Sequence, residues 1–344
     1  MVTSLIAPVQ SPPPGAAGAA PAPVDELTRR GLLAGGLSLA ALMAGGGAAA
    51  ASTATAGFPR TVQTGHGPVL IPSEPERIVT MLAEADAVVA LGRTPVAMAG
   101  SYADPRMVDP WLVDRLGGAE VDLLNVNAEV PFEQIAAARP DLILAGTFYY
   151  IDEHYERLSA IAPTVTYVRG QQVDTWQDQT LLIGGALAEE EAARAAVARV
   201  ESRIERIRPD FEGRTCSLSH YYEPNAIAVI AHLEDFSARL LYSLGFRFTP
   251  GIEALAGGAV ESEVIGLEQL PVLDADLLLM THASPELRRE IEANPLFANL
   301  PAVAGGRYVP VALTVVTAMR TPSILRVEYV LDELVPDFAE ALGL

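Results

Sequence analysis

The chain has 344 residues, half of them hydrophobic, with 43 acids against 23 bases and a formal charge of −20. That length gives room for two domains of ordinary size with sizeable cores, and so acidic a chain is repelled by nucleic acid and by anionic lipid heads. Every base is an arginine, and the single cysteine, Cys216, excludes an internal disulfide and any metal site built from several thiolates.

Residues 1–56 read as a leader. The first 27 are rich in Pro and Ala, a composition that favours disorder. Arg29 and Arg30 then precede an apolar, Gly-rich stretch from Gly31 to Ala44, too short for a membrane span, and Ala-x-Ala sites end at Ala50 and Ala56. Thr28-Arg29-Arg30 ahead of that stretch resembles a twin-arginine export signal. No cysteine follows it, so the sequence contains no lipobox.

Beyond the leader, short aliphatic runs alternate with amphipathic segments. "RIVTM", "PVAMAG", "DLILAG" and "TVTYV" read as strands; "EADAVVALG", "PFEQIAAAR" and "IDEHYERLSAIA" read as helices between them. Strands at helix-length intervals imply βαβ units and a parallel sheet. From Trp176 to Arg208 the chain is helix-like, with Ala192, Ala196, Val200, Ile204 and Ile207 on one face. Unbroken, that segment would reach about 50 Å, with Gly184-Gly185 as the expected bend. Strand and helix then alternate again: "RTCSLSHYY", "ARLLYSLGF", "GLEQLPVLD", "DLLLMT", "SPELRREIEAN" and "YVPV". The expected units are a lobe over 57–170, a connecting helix over 171–209 and a second lobe over 210–344.

One phrase occurs twice. "PFEQIAAARPDLILAG" and "GLEQLPVLDADLLLMT" both run Glu-Gln-aliphatic, a spacer, then Asp-Leu-aliphatic-Leu, with Glu133 matching Glu268 and Asp141 matching Asp276 at one offset. Each copy reads as a helix leading through an aspartate into a core strand. A glutamate in the first turn of a helix is favoured by the macrodipole alone, by about 0.3–1 kcal/mol.

Four phrases in order carry a family resemblance: "PERIVTMLAEADAVVALGRTPVAMAG", "VPFEQIAAARPDLILAG", "YERLSAIAPTVTYV" and "NPLFANLPAVAGGRYVPV". Together they resemble the extracytoplasmic substrate-binding proteins of ABC importers for ferric siderophores, haem and cobalamin, over roughly Pro75 to Leu344. The resemblance implies a class III, helical-backbone α/β fold: two lobes with central, mainly parallel sheets joined by a single long helix, the ligand held between them. It also implies a monomeric receptor and no intrinsic cofactor. A Glu on each lobe would meet arginines of a two-fold permease, which assigns Glu133 and Glu268 to docking.

Ligands of α/β folds sit at loops after the C-terminal ends of parallel strands. Those loops hold Tyr102, Phe148, Tyr149, Tyr150, Tyr221 and Tyr222, in a chain only 6% aromatic. Tyrosine offers a large amphipathic ligand both a ring face and a hydroxyl. Arg320 lies where the family often places a basic contact. Asn127 and Ser262 stand where some relatives carry an arginine and a cleft tryptophan. No dense arginine cluster is available to compensate a trianionic catecholate, whose burial uncompensated costs several kcal/mol. A neutral or cationic ferric hydroxamate suits this sequence better, with haem or cobalamin as alternatives.

An exported enzyme acting on an iron chelate is the other class. The chain beyond the leader has no G-x-S-x-G nucleophile elbow and no completed G-x-G-x-x-G loop. Its five histidines are each alone in their segments, so neither a catalytic residue nor a metal ligand set is assigned.

Overall fold

The computed structural model describes residues 57–102, 104–127, 129–170, 173–256 and 263–344. The leader, with Arg29 and Arg30, and Ser262 lie outside the described residues. A hairpin comes first, β1 (Arg60–Thr64) and β2 (Gly67–Ile71). The first sheet is then built from β3 (Ile78–Thr80), α1 (Glu84–Ala90), β4 (Ala97–Ala99), α2 (Pro110–Leu116), β5 (Asp122–Leu124), α3 (Phe132–Ala137), β6 (Leu142–Leu144), α4 (Ile151–Ser159) and β7 (Thr164–Val165). Its order is β5-β4-β3-β6-β7, parallel throughout. Helices cover both faces, so neighbouring residues of one strand enter different cores: Leu142 and Leu144 join one cluster and Ile143 the other.

The segment expected to be one connecting helix is two helices, and only the second of them joins the lobes. Helix α5 (Trp176–Leu187) carries a capping box in which Thr175 and Asp178 satisfy each other's backbone amides. It ends at Ala188, in the left-handed region at φ 60°, and α6 (Glu190–Phe211) starts anew. Gly184-Gly185 does not form the expected bend; both lie inside α5. Gly184 instead permits a crossing, because a Cβ there would stand 2.3 Å from the Ala193 Cβ of α6. Helix α5 packs on α1 and β1, so it belongs with the first lobe, and α6 alone is the long connector.

The second sheet is made by β8 (Thr215–Glu223), β9 (Ala226–Val229), α7 (Phe236–Ser243), β10 (Arg247–Phe248), α8 (Pro250–Glu253), β11 (Glu263–Ile265), a 3-10 turn (Leu267–Leu273), β12 (Leu277–His282), α9 (Pro285–Glu292), α10 (Pro295–Ala298), α11 (Pro301–Ala304) and β13 (Tyr308–Pro310). Strands β10, β8, β12 and β13 run parallel; at one edge β9 pairs antiparallel with β8, and β11 pairs antiparallel with β9. The segment "GLEQLPVLD" is a 3-10 turn rather than the expected α-helix, because Pro271 removes an amide from its middle. Helices α12 (Leu313–Arg320) and α13 (Ile324–Leu342) close the chain.

Helix α13 ties the lobes together. It packs on α1, α2 and α5 as well as on α12, β12 and β13. Near its far end Phe338 meets Phe211 and Phe246 edge-on, at ring separations of 5.9 and 5.6 Å. The span 210–344 therefore includes a helix shared by both sheets.

The repeated phrase has a common structural job. In the first lobe Asp141, just before β6, accepts from the amides of Glu76 (2.8 Å) and Arg77 (2.9 Å), which lead into β3. In the second, Asp276, just before β12, accepts from the Thr215 amide (2.8 Å) and hydroxyl (2.9 Å) at the start of β8. Each aspartate pins the first residues of the adjacent parallel strand and so sets the register of a central pair. An arginine braces each turn from a different side: Arg77, ahead of β3, donates from Nε to the Ala138 carbonyl at 2.9 Å, and Arg307, ahead of β13, donates from Nη1 to the Ala275 carbonyl at 3.0 Å.

Candidate functional site

The loops at the C-terminal ends of β3, β4 and β6 face the elbow between α12 and α13 across an open recess of about 510 Å³, solvent-open space included. Leu82, Ala85 and Asp86 come from the first loop and α1, Gly100 and Tyr102 from the second, Tyr149 from the third. The opposite wall is Thr317, Thr321 and Arg326. This is the crest of a parallel sheet, where an α/β fold leaves room for a ligand.

The floor is a buried polar knot. Asp86, 1% exposed, accepts from the Trp111 indole at 2.9 Å on Oδ1 and from the Ser323 hydroxyl at 2.5 Å on Oδ2, and Arg326 Nε lies 3.0 Å from that same Oδ2. The Ser323 oxygen also caps α13 by accepting from the Arg326 amide at 3.2 Å. Arg326 Nη2 adds a longer contact to Asp109, at 3.4 Å. Burial raises the Asp86 carboxyl to about 6 against the lowering pull of Arg326. Asp86 stands on the first lobe and Arg326 on the closing helix, so the pair fixes one wall of the recess against the other.

Tyrosines line the mouth. The Tyr149 ring is exposed, while surrounding protein raises its hydroxyl pKa against the opposing influence of Arg320 and Arg326. Tyr102 stands on the same wall of the recess, and Asn127 donates to its carbonyl at 3.4 Å. Arg320 lines a second, smaller recess in the C-terminal lobe with His220, Ser237 and Thr281. Tyr222 stacks on His220 with ring centres 6.1 Å apart. Burial first, then His282 and Arg320, hold the His220 imidazole down to about 4.

Of the expected ligand contacts, Tyr102 and Tyr149 line the larger recess and Arg320 the smaller, while Asn127 and Tyr222 line neither but stand beside Tyr102 and His220. Two of the expected ligand contacts stand elsewhere. Phe148, 2% exposed, is packed in the second core of the first lobe, edge-on to Tyr150 and stacked near His154. Tyr150 is exposed at the entrance to α4 and lines neither recess. Asp86 and Arg326 escaped the sequence reading, although each is a charge set in an apolar run, "EADAVVA" and "SILRVEYV". Glu133 and Glu268 are exposed, each in the first turn of its helical segment, and neither makes an ion pair among the described residues. No three His, Cys, Asp or Glu come together there as a metal ion needs, and no helix there is long and apolar enough to cross a membrane.

Residues 69–309 match the family model described as periplasmic binding protein. A periplasmic solute binding protein from Mycobacterium smegmatis superposes with a TM-score of 0.70 at 27% identity, over 82% of this chain and 98% of that one. PiaA of Streptococcus pneumoniae, solved in complex with ferrichrome, gives 0.67 at 22% over 82% and 98%. SirA of Staphylococcus aureus, complexed with staphyloferrin B, gives 0.66 at 20% over 83% and 98%. Comparison with curated proteins gave no match.

Proposed function

The chain belongs to the periplasmic binding protein family, and we propose that it is an exported receptor that captures a ferric siderophore, of hydroxamate type, and hands it to an ABC permease. Membership of that family makes it a binding protein rather than an enzyme. One observation carries the ligand reading: a single recess takes one wall from the strand-end loops of the first sheet and the other from α12 and α13, with tyrosines at its mouth. Such a site suits a bulky amphipathic guest. Its charge supports the same choice. Asp86 and Asp109 already engage Arg326, so Arg320 is the one arginine lining either recess that is left to face a ligand. A trianionic catecholate would bury charge against too little compensation, whereas a neutral or cationic trihydroxamate would not. Ferrichrome in PiaA supports this class; staphyloferrin B in SirA shows that relatives at similar distance take other chelates.

Export through the Arg29-Arg30 signal and docking through Glu133 and Glu268 complete the proposal. With both signal arginines changed to lysine, unprocessed chain should collect in the cytoplasm; normal processing would remove the twin-arginine reading. The ligand test is quenching of intrinsic fluorescence by a panel of ferrichrome, ferrioxamine B, ferric enterobactin, haem and cobalamin. Submicromolar binding of the hydroxamates with weak catecholate binding is the expected result. Tighter binding of enterobactin, haem or cobalamin would replace the hydroxamate assignment.

A further inference from the structure

Residues 145–150, between β6 and α4, are held one after another by different means. A Cβ on Gly146 would stand 2.6 Å from the Gln179 side chain of α5 and 2.9 Å from the Thr166 carbonyl, so a side chain there would push the loop outward. Thr147 is gripped by Glu84: its amide and its hydroxyl, the latter at 2.7 Å, both donate to Oε1 of that carboxylate. Phe148 is buried in one core with Ile151 and Leu158 of α4. Tyr149 comes next, exposed and lining the larger recess. Glu84 itself is 2% exposed, and no arginine pairs with it among the described residues. Its Oε2 accepts from the amide of Leu82 at 2.9 Å, and Leu82 lines the same recess. The Thr147 hydroxyl in turn accepts from the Ala83 amide at 3.1 Å. A buried carboxylate without a counter-ion is costly unless donors are aimed at it. Burial raises the Glu84 carboxyl against the lowering pull of Thr147, yet Glu84 is the acceptor in each of these side-chain contacts, which suits a carboxylate and no neutral isostere.

We propose that Glu84 is a positioning residue for the ligand site: through Thr147 it sets the direction in which Tyr149 faces the recess. The assignment rests on the reading of that recess as part of the ligand cleft. Packing alone does not call for the charge, since Ala85, Ala87 and Val88 of the same helix are buried as apolar side chains. An apolar residue at position 84 would leave the amides of Leu82 and Thr147 without their acceptor and release two recess-lining loops at once; buried amides left in that state are rare and costly. Glutamine does not substitute, because its amide nitrogen would face either the Leu82 amide or the Thr147 donors. Two residues on, Asp86 ties the same turn of α1 to Ser323 and Arg326. One helical turn thus holds the Tyr149 loop on one side and the α12–α13 elbow on the other.

Fluorine NMR of the ligand-free protein, labelled with fluorotyrosine, is the first test, with Tyr149→Phe identifying the Tyr149 signal. Glu84→Gln and the near-isosteric Thr147→Val should each shift or double that signal, and Thr147→Ser, which keeps the hydroxyl, should leave it in place. Asp141→Ala is the comparison: it loosens the opposite ends of β3 and β6 and should lower stability without moving the Tyr149 signal. Affinity is then measured for ferrichrome, or for whichever chelate of the fluorescence panel binds the wild type most tightly, at a temperature where every variant is folded. Glu84→Gln, Thr147→Val and Tyr149→Ala should each weaken it about tenfold, and Thr147→Ser no more than about twofold. Glu84→Gln combined with Tyr149→Ala should bind within about threefold of Tyr149→Ala alone, because residues acting through one contact do not add. If no chelate of the panel binds the wild type, the siderophore reading fails, while a Tyr149 signal moved by Glu84→Gln and Thr147→Val still upholds the hold of Glu84. The role is overturned if that signal stays in place in both variants, if Asp141→Ala moves it equally, if both variants bind the chelate as the wild type does, or if the losses from Glu84→Gln and Tyr149→Ala multiply.

Discussion

The two lobes use one device in different surroundings. In the first, Asp141 pins β3 beside strands of two or three residues, all parallel and covered on both faces. In the second, Asp276 pins the nine-residue β8, which continues beyond the clamp into the antiparallel β9 and β11. Short parallel strands place several loops side by side at one crest, and the first lobe supplies most of the larger recess. The longer β8 puts His220 and Tyr222 on one face and Tyr221 on the other, where its hydroxyl meets Glu290 at 2.6 Å. A shared clamp thus fixes the frame, while strand length and edge additions decide what each lobe offers a ligand.

The contact that breaks the comparison most severely belongs to neither lobe alone. Replacing Asp86 with Ala leaves Arg326 buried without its main partner and should cost about 3–5 kcal/mol in urea unfolding. The double change Asp86→Leu with Arg326→Met should restore most of that, because an apolar pair of similar volume escapes the desolvation cost. A double variant no more stable than Asp86→Ala would show that the pair contributes more than packing between the lobes.

The clamps come next. Asp141→Ala and Asp276→Ala should each lose about 1–2 kcal/mol, the scale of a charge-assisted bond to backbone, and the losses should add because the sites share no partner. The pH dependences of Asp86 and Asp276 should oppose one another. The Asp86 carboxyl, raised by burial to about 6, contributes stability that is present below its unfolded value near 4 and lost as pH rises through 6. The Thr215 amide holds Asp276 below its ordinary value, so its contribution is present above that value and lost as pH falls through the depressed one. Unfolding followed from pH 3 to 7 should therefore lose its fall between 4 and 6 in Asp86→Asn and its rise at the acid end in Asp276→Asn. Unchanged profiles would contradict both assignments.

The smallest effect on the isolated protein is expected at the repeated glutamates. Glu133→Ala with Glu268→Ala should leave stability and chelate affinity within about twofold, since exposed charges of this kind contribute about 0–1 kcal/mol. Uptake through the permease should nevertheless stop, because rim charges set registration and encounter. Uptake at the wild-type rate would reduce the repeat to its aspartate clamps.

The α/β alternation and the doubled phrase were readable in the sequence because hydrophobic period and spacing report directly on strands and helices. What escaped depends on three-dimensional context. Nothing in "GALAEEE" marks Ala188 as a left-handed residue, and the glycines that suggested a bend serve helix crossing instead. Three adjacent aromatics, Phe148, Tyr149 and Tyr150, look alike as a string, yet the turn after β6 sends the first into the core and the next toward the cleft. The α12–α13 elbow brings Arg326 to Asp86 across 240 positions of chain, a pairing that local patterning does not contain. Likewise, Glu84 and Thr147 are ordinary residues until the fold closes one on the other.

The central claim is that a ferric hydroxamate lies between the lobes. Anomalous diffraction at the iron edge, from crystals grown with a saturating trihydroxamate chelate that binds in the fluorescence panel, tests it most directly. One iron peak is expected, between Tyr149 of the first lobe and the α12–α13 elbow of the second, within contact reach of Tyr102. Iron found on the outer faces near Glu133 or Glu268, or no ordered iron despite saturation, would contradict it.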